Sequence, residues 1–347
     1  MRVLVVGGTR FVGRHIVQAL LDAGHEVTLF HRGSGDPVGG DPFAQAEHRH
    51  GDRDGDLAEL AEGEWDATVD VSAYVPRQVR ALGEALGRAG GRGGRYLYIS
   101  SVSAYAPTDE PGLTESAPLE ALADEDTEEV TGETYGGLKA LCEYAAVEVF
   151  GAGTLLVRPT YVIGPYDTTG RFTYWVRRLA QGGEVLAAGP RDQPVQVIDG
   201  RDLADFCVRL LEDGASGPFH VAGPPPPHTL GDLLDAVRDA VAPEGTTIRW
   251  VDAGAAKEQG LDGSALPLWH GGERTGTAAA DPSAALAHGL RMRPVADSAR
   301  DTLAAQDVTP LVPGVGLERD REAQLLQSLA DGDGDGGADR SERGAEA

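Results

Sequence analysis

The chain has little lysine, little cysteine and no long hydrophobic run, and each shortage excludes a class of protein. Lysine occurs only at Lys139 and Lys257, while arginine makes up the rest of the 30 Lys and Arg residues. Two cysteines, Cys142 and Cys207, are too few for a disulfide framework or a cysteine metal site. No apolar stretch is long enough to cross a bilayer, and the first residues lack the apolar region of a secretory signal. We therefore expect a cytoplasmic protein with reduced thiols and no membrane contact.

Positive charge is also scarce, because 55 Asp and Glu residues leave a net charge of −25. Nucleic acids are bound mainly through clustered positive charge, so this balance argues against a nucleic-acid partner. It still allows a local basic pocket for a phosphorylated cofactor, and we expect a small-molecule substrate. No spacing among the nine histidines is typical of a metal site, so no bound metal is expected.

The C-terminal end is rich in Asp and Gly, and residues 331–347 are predicted to form a disordered acidic tail. Asp331, Asp333, Asp335, Gly336 and Glu342 match the spacing of a calcium-binding loop. The preceding helix fits, but the final Arg-Gly-Ala-Glu-Ala cannot supply the helix that should follow such a loop. Low-complexity sequence is therefore the better interpretation.

The first 160 residues alternate short apolar runs with helical patterns. The predicted strands are Val3–Val6, Glu26–Phe30, Ala67–Val71, Tyr96–Ser100 and Leu155–Arg158. Strands that alternate with helices predict right-handed crossovers and a parallel sheet covered on both faces. The expected fold is therefore α/β, a Rossmann-type doubly wound parallel sheet with a smaller mixed α/β substrate-binding lobe.

The pattern loosens after Pro159, which sets the predicted domain boundaries. We expect a dinucleotide-binding domain over residues 1–165, with pieces around 185–221 returning to it, and a lobe mainly over 166–330. Residues 107–133 carry ten Asp or Glu and three prolines and predict a mobile, solvated loop. The predicted helices here are Phe172–Gln181, Asp202–Leu211, Leu230–Val241 and Arg319–Leu329, with strands near Val195–Ile198, Gly217–Val221 and Thr247–Val251.

A glycine-rich loop joins the first strand to the first helix. Gly7 allows a tight turn, Gly8 removes a side chain where a pyrophosphate could approach, and Gly13 lets the helix pack closely on the sheet. The N-terminus of that helix faces the anion. The candidate cofactor-binding residues of this loop are Gly7, Gly8, Thr9, Arg10, Phe11, Val12 and Gly13.

The end of the second strand indicates which dinucleotide binds. Sites for NAD(H) place an acidic residue there to bind the ribose 2′-hydroxyl, but this strand ends in Phe30-His31-Arg32. Arg10 and Arg32 could together clamp a 2′-phosphate. We therefore expect NADP(H) in preference to NAD(H), which stays possible. Asp52 could bind the adenine amine or cap a turn.

The candidate catalytic residues end one strand and begin one helix. Ser100, a candidate cofactor-binding residue, ends a strand at the carboxyl edge of the sheet, and the candidate catalytic residue Ser101 follows it. Ligands of open parallel sheets bind at that edge. Tyr135 and Lys139 are one helical turn apart on one face. A serine there can hold a substrate oxygen while the phenol moves a proton, and the ammonium favours the phenolate.

These motifs, with Arg158-Pro159 and Ile198–Ala204, resemble the short-chain dehydrogenase/reductase superfamily, in its extended or atypical NAD-dependent epimerase/dehydratase branch. The resemblance covers about residues 1–330. It implies that Tyr135 is the general acid/base and that Lys139 binds the nicotinamide ribose and lowers the pKa of the phenol. Ser101 would be the catalytic hydroxyl, with Ser103 as the alternative and as a substrate contact. A homodimer through the helices that bear Tyr135 is also implied.

The chain departs from that family at several positions. Arg10 replaces the middle glycine and His31 the usual acidic residue, changes that accompany altered cofactor preference or lost catalysis in atypical members. Val102-Ser103 stands where similar 4,6-dehydratases carry Asp-Glu, which argues against dehydration. The Gly-Gly-Thr-Arg-Phe segment is similar to a plant chloroplast branch that binds RNA, but the charge of −25 argues against that function.

Aromatic residues and an arginine follow the last predicted strand, and they suit a sugar ring or a phosphorylated group. The candidate substrate-binding residues among them are Tyr161, Tyr166, Arg171 and Tyr174. The leading prediction is an NADP(H)-dependent oxidoreductase that moves a hydride to or from a carbonyl or carbinol carbon. The alternatives are a nucleotide-sugar epimerase that retains its NAD(P) and a non-catalytic Rossmann protein that binds NAD(P) or RNA.

Overall fold

The computed structural model describes residues 1–33, 43–87, 91–225, 228–271, 276–309 and 311–335. Its strands are β1 (Arg2–Val6), β2 (Glu26–His31), β3 (Glu47–His50), β4 (Ala67–Asp70), β5 (Arg95–Ile99), β6 (Leu155–Pro159), β7 (Tyr161–Ile163), β8 (Glu184–Ala188), β9 (Val197–Asp199), β10 (Gly217–Val221) and β11 (Thr247–Val251). Its helices are α1 (Phe11–Asp22), α2 (Pro76–Ala85), α3 (Tyr135–Phe150), α4 (Arg171–Ala180), α5 (Gly200–Glu212), α6 (Leu230–Val241), α7 (Ala253–Glu258), α8 (Ser283–Ala287), α9 (Val295–Ala304) and α10 (Arg319–Asp335).

Seven strands form one parallel sheet in the order β3-β2-β1-β4-β5-β6-β10. The first six follow the doubly wound Rossmann order, in which the chain reverses its direction of growth at β1. The fold predicted from the sequence is therefore confirmed. The carboxyl ends of β1 and β4 border the crevice at which such sheets bind their ligands.

The sheet buries apolar side chains on both faces, which explains the near-continuous apolar strands. Val3 and Val5 pack in the cluster that contains residues of α1 and α5. Leu4 and Val6 point to the opposite face and pack in the cluster that contains residues of α2 and α3. Successive side chains of a strand alternate between faces, so one short segment anchors helices on both sides.

A second lobe has its own apolar core, built around Trp175, Leu233 and Leu234. In this lobe β8 pairs with β11, and β7 pairs with β9 in a separate two-stranded sheet. Of the pieces around 185–221, β10 joins the large sheet and α5 packs beside α1, whereas β8 stays in the lobe.

One acidic segment agrees with its predicted form and the other differs. Residues 107–133 contain no helix or strand and no buried residue, as expected for a solvated loop, and an isolated bridge ties Leu119 in the middle of the segment to Tyr105. The helix α10 continues to Asp335, so Asp331–Asp335 are helical and not a disordered tail. Gly336 and Glu342 of the calcium-loop spacing lie outside the described residues. Within the described ranges, no helix combines the length and hydropathy that a membrane span needs.

Candidate active site

A cleft of about 1110 Å³ runs along the carboxyl ends of β1 to β6. Adjacent strands lie about 4.8 Å apart, so the three spacings from β2 to β5 give the cleft a length of about 14 Å over that part of the sheet. The second lobe closes the other side with side chains that include Arg171, Phe172, Gln196, Leu268, His270 and Thr277. This elongated shape can take a dinucleotide and a second, smaller ligand.

In the loop between β1 and α1, each glycine is required for a different local reason. Gly7 has φ of +88°, and a Cβ there would lie 2.6 Å from the Ser72 Oγ. A Cβ on Gly13 would lie 2.8 Å from the Gly8 Cα, so the helix packs directly on the loop. A Cβ on Gly8 would lie 2.7 Å from the Val17 Cγ2, inside the core. The prediction that Gly8 makes room for a pyrophosphate is therefore wrong; Gly8 makes room for α1 to pack on the sheet.

The first turn of α1 provides anion-binding groups. Thr9, Arg10, Phe11 and Val12 line the cleft. Arg10 precedes the helix without a side-chain cap, and the first turn carries no acidic residue. The N–H groups of a helix's first turn have no partner inside the helix and carry its positive dipole end. They fit a pyrophosphate, the group that the sequence predicts here.

Three histidines cluster at the end of β2: one is its last residue, and two belong to the neighbouring β3. His31 and Arg32, which the sequence predicts to bind the cofactor, line the cleft together with His48 and His50 of β3. The His31 ring centroid lies 5.1 Å from that of His48 and 4.7 Å from that of His50. Sequence reasoning missed this cluster, because β3 has no apolar run to mark it. The alternation His48-x-His50, opposite the end of β2, is the signal that could have revealed it.

Beyond β3, the cleft wall carries one predicted residue and one that was missed. The Asp52 Oδ1 accepts a hydrogen bond from the Asp54 backbone N at 3.0 Å, so its carboxylate caps a turn. Arg53 was missed; its guanidinium donates to both oxygens of the fully buried Asp70, at 2.7 and 3.0 Å. Burial alone would raise the pKa of Asp70, but Arg53 lowers it overall. The pair is therefore held ionised beneath the cleft.

Lys139 is buried beside the end of β5. Its Nζ donates to the backbone oxygens of Ala73 at 3.1 Å and Ile99 at 2.7 Å, and it lies 4.3 Å from the Tyr98 ring centroid. An ammonium has three N–H donors, so one is left to reach into the cleft. Burial lowers the pKa of Lys139 to about 8.

Tyr135 begins α3 and lines the cleft with Ser101 and Lys139. Burial raises the pKa of Tyr135, the nearby Tyr74 adds to this effect, and the Ser101 hydroxyl opposes it. The Tyr74 and Tyr135 ring centroids lie 6.4 Å apart. The predicted lowering of the phenol pKa is therefore not produced by the protein's own groups. The sequence could not weigh the burial of the phenol against the charge of Lys139.

Three serines follow β5 and all line the cleft. The Ser101 Oγ accepts a hydrogen bond from the Ser103 backbone N at 3.0 Å, which orients the Ser101 side chain. Ser100 is 3% exposed, and its Oγ has no hydrogen-bond partner among the described residues. A buried hydroxyl without a partner is costly, so Ser100 provides a ready contact for a bound ligand.

The two glycines after Tyr135 explain how α3 reaches this position. A side chain on Gly136 would collide with Glu120 and with the Ser103 backbone oxygen, and one on Gly137 would collide with Leu122. The acidic segment therefore lies directly on the first turn of α3. This contact brings Tyr135 and the serines to the same edge of the sheet.

The structure divides the predicted substrate-binding residues. Tyr161 and Arg171 line the cleft, and the Arg171 Cζ lies 5.1 Å from the Tyr161 ring centroid. Tyr166 and Tyr174 do not line the cleft, which contradicts their prediction as substrate-binding residues. Tyr166 has φ of +66° and packs its ring under Arg14, with the Cζ 4.1 Å from the ring centroid. Tyr174 is buried in the core of the second lobe.

Comparisons with known proteins agree with this architecture. The sequence model described as the NAD dependent epimerase/dehydratase family matches residues 3–222. The chloroplast stem-loop binding protein of 41 kDa b of Arabidopsis thaliana is 26% identical over 238 residues, which cover 64% of this chain and 58% of that protein. The chain thus matches less than two thirds of the length of this relative.

Two solved enzymes have the same fold over most of the chain. The UDP-glucuronic acid 4-epimerase of Bacillus cereus, solved with UDP-glucuronic acid and NAD, gives a TM-score of 0.64 at 17% identity and covers 88% of this chain and 98% of its own. The dTDP-glucose 4,6-dehydratase of Streptomyces venezuelae, solved with NAD, gives 0.63 at 21% identity, with coverages of 89% and 99%. At this identity the likeness shows the fold.

Proposed function

The chain belongs to the NAD dependent epimerase/dehydratase family, and from this premise we propose that it is an NADP(H)-dependent oxidoreductase. Its substrate would be a carbonyl or carbinol of a small molecule or sugar derivative. The observation that carries the proposal is the grouping of Tyr135, Ser101 and Lys139 in one cleft at the carboxyl end of β5. If these three residues had only structural roles in the core, nothing would require them to lie in the same cleft.

The residues present fit a pyridine dinucleotide. The first-turn N–H groups of α1 would hold the pyrophosphate, and the orphaned Ser100 hydroxyl and the remaining Lys139 N–H would hold the ribose nearest the reaction. Arg10, His31 and Arg32 would meet the adenosine end. When bound, the nicotinamide accepts or supplies the hydride.

Side chains of the protein would transfer the proton to and from the substrate oxygen. Because burial raises the pKa of Tyr135, its hydroxyl is protonated at neutral pH and suited to donate to a substrate oxygen. Ser101 lines the same cleft as Tyr135 and would hold the same oxygen. Lys139, with a pKa of about 8, would stabilise the phenolate left after the proton has moved.

The preference for NADP(H) rests on the residues around the end of β2. The strand ends in His31 and Arg32 with no carboxylate at its last positions, and Arg10 and Arg32 line the cleft beside it. An arginine accommodates a 2′-phosphate, and a carboxylate binds the 2′-hydroxyl of NAD. NAD(H) is the alternative, since the solved neighbours above were crystallised with NAD.

The test is a cofactor assay on the purified protein. NADPH is mixed with a panel of ketones and 4-keto nucleotide sugars, and absorbance at 340 nm is followed. We expect a stoichiometric loss of NADPH with at least one carbonyl, and Tyr135→Phe should lower the rate by about 10²–10⁴-fold while NADPH binding persists. An unchanged rate in Tyr135→Phe would remove the catalytic role of the phenol.

An epimerase is the second candidate, because the epimerase fold of Bacillus cereus covers the second lobe as well as the Rossmann sheet. Such an enzyme would invert a sugar carbon without net change at 340 nm. A nucleotide sugar whose nuclear magnetic resonance spectrum shows inversion at constant NADPH concentration would favour this candidate. Binding of a stem-loop RNA without any turnover would favour the third candidate, a non-catalytic Rossmann protein that binds RNA.

A further inference from the structure

The side chain of Arg158, on β6, joins three segments that border the active site. Its Nε and Nη2 donate to the two carboxylate oxygens of Glu143 on α3, at 2.9 and 2.5 Å. Its Nη1 donates to the Tyr105 hydroxyl and, at 3.0 Å, to the backbone oxygen of Glu115 in the acidic segment. Arg158 is 4% exposed and Glu143 is 2% exposed, so this ion pair lies inside the protein.

The hydrogen bonds around Tyr105 run in one direction. A guanidinium can only donate, so the Tyr105 oxygen accepts from Arg158 and its own proton points to the His220 Nε2. The Nδ1 of the same ring donates to the Asp281 backbone oxygen at 3.0 Å. Burial raises the pKa of Tyr105 to about 12 and lowers the pKa of His220, so at neutral pH the phenol keeps its proton and the ring is neutral. The hydroxyl and both ring nitrogens therefore have their partners at the same time.

The turn that carries Ser101 is tied to β6 at both ends. Before the turn, the Ser100 backbone N donates to the Val157 backbone oxygen at 2.7 Å. After the turn, the Tyr105 hydroxyl accepts from Arg158, the next residue of β6. Only one short 3₁₀ turn lies between these two anchors. A shift of the tyrosine ring therefore also moves the serine hydroxyl.

The helix that carries Tyr135 is held by the same guanidinium. Glu143 lies one helical turn after Lys139 and two turns after Tyr135 on α3. The acidic segment, which lies on the first turn of α3, is held through the Glu115 backbone oxygen. A guanidinium presents its donors in one rigid plane, so the partners of its arms cannot move independently. Arg158 thus fixes the distance between the serine turn and α3.

Stability alone does not account for this arrangement. An ion pair taken out of water loses hydration energy, and apolar residues of similar volume often give equal or greater stability. Apolar residues cannot, however, hold several partners in fixed directions, as a bidentate guanidinium does. Catalytic groups need such fixed directions, because a displacement of about 1 Å can lower a rate by about 10²-fold.

We propose that Arg158 and Tyr105 are positioning residues that hold the Ser101 hydroxyl at the distance from Tyr135 that the reaction requires. This inference rests on the proposed oxidoreductase function and deepens it. Tyr105 acts through Ser101, because its hydroxyl fixes the end of the serine turn. Arg158 acts on the serine through Tyr105 and on the phenol through Glu143. Neither positioning residue lines the cleft, so neither is expected to touch the substrate.

The experiment is a double-mutant cycle of Tyr105→Phe and Ser101→Ala. The single-turnover loss of NADPH absorbance at 340 nm is followed with protein in excess, on a ketone or 4-keto nucleotide sugar that reacts in the assay above. Tyr105→Phe keeps the ring and removes the hydroxyl. We expect its rate to fall about tenfold, while the steady-state KM and the affinity for NADPH change less than about twofold. In the Ser101→Ala protein the same substitution should change the rate less than about twofold, because the group that it positions is already gone.

The matched control is Tyr96→Phe. It removes another buried hydroxyl that hydrogen-bonds a buried ion pair, since the Tyr96 hydroxyl donates to the Asp70 Oδ2 at 2.8 Å. Its effect on the rate should be equally large with and without the Ser101 hydroxyl. If Tyr105→Phe does not fold, His220→Leu takes its place in the cycle, because it removes the acceptor of the Tyr105 hydroxyl. The same loss of additivity is expected.

The outcomes separate this inference from the proposed function. Equal losses of rate for Tyr105→Phe with and without the Ser101 hydroxyl would overturn the positioning role and leave the oxidoreductase standing. A loss confined to KM, or an unchanged rate in Tyr105→Phe, would do the same. Absence of NADPH turnover with every carbonyl compound would overturn the proposed function and this inference with it.

Discussion

The two ends of the cleft hold their polar groups in different ways. At the β5 end, Lys139 is buried and donates to two backbone oxygens. At the β2–β3 edge, the side chains are partly or fully exposed, and His31 and His48 contact each other and the backbone of Gly33 and Phe43, outside the strands. Backbone acceptors at or beside strand ends cannot move far without the sheet, whereas exposed side chains can rearrange. The β5 end is therefore built for fixed geometry, and the β2–β3 edge is the more adjustable of the two.

Among the variants that compare the two ends of the cleft, the largest effect is expected at Lys139. Below a pKa of about 8 the ammonium is charged, and above it the charge is lost, so the rate should fall as pH rises through about 8. Lys139→Met should remove this alkaline decline and lower the rate at pH 7 by about 10²-fold. The measurement is kcat/KM from pH 6 to 10, with Lys257→Met, the other lysine, as control. A profile of the natural chain that stays flat from pH 7 to 9 would contradict the assignment.

An intermediate effect is expected at Arg32. Removing one charge-assisted contact to a 2′-phosphate costs about 1.5 kcal/mol, so Arg32→Ala should weaken NADP⁺ binding about tenfold and leave NAD⁺ binding unchanged. Titration calorimetry with both cofactors measures this, and the exposed Arg300→Ala is the control. Equal losses of affinity for the two cofactors would mean that Arg32 shapes the loop and does not bind the 2′-phosphate.

The smallest effect is expected at Asp52. Its carboxylate caps a turn, and an asparagine keeps the accepting oxygen. Asp52→Asn should therefore change the affinity for NADP⁺ by less than about twofold. A larger loss, of about tenfold, would instead support the alternative in which Asp52 contacts the adenine and would make the β2–β3 edge less adjustable than we infer.

Local patterns allowed most of the Rossmann half to be predicted. The apolar runs of β1, β2, β4, β5 and β6 follow from burial on both faces, and Tyr135 and Lys139 follow from one turn of helix. Contacts between distant segments were out of reach. Arg53 lies in the loop after β3, and Asp70 ends β4. No spacing in the sequence predicts that these two residues pair.

The wrong predictions have the same origin. Tyr166 and Tyr174 were chosen because they follow a strand end, but their direction depends on a positive φ and on the packing of the second lobe. Gly8 was assigned to the ligand, whereas the side chain it lacks would enter the core beside Val17. The sequence order indicates which edge a residue is near, and the tertiary packing decides which way it points.

The anchoring of Lys139 has a consequence for damaged or partly opened forms of the protein. One acceptor, the Ala73 oxygen, comes from the segment after β4, and the other, the Ile99 oxygen, ends β5. The ammonium thus bridges two neighbouring strand ends. Slight separation of those ends would remove an acceptor and release the cation, so the proposed catalysis should be lost while nearly all of the secondary structure is still intact.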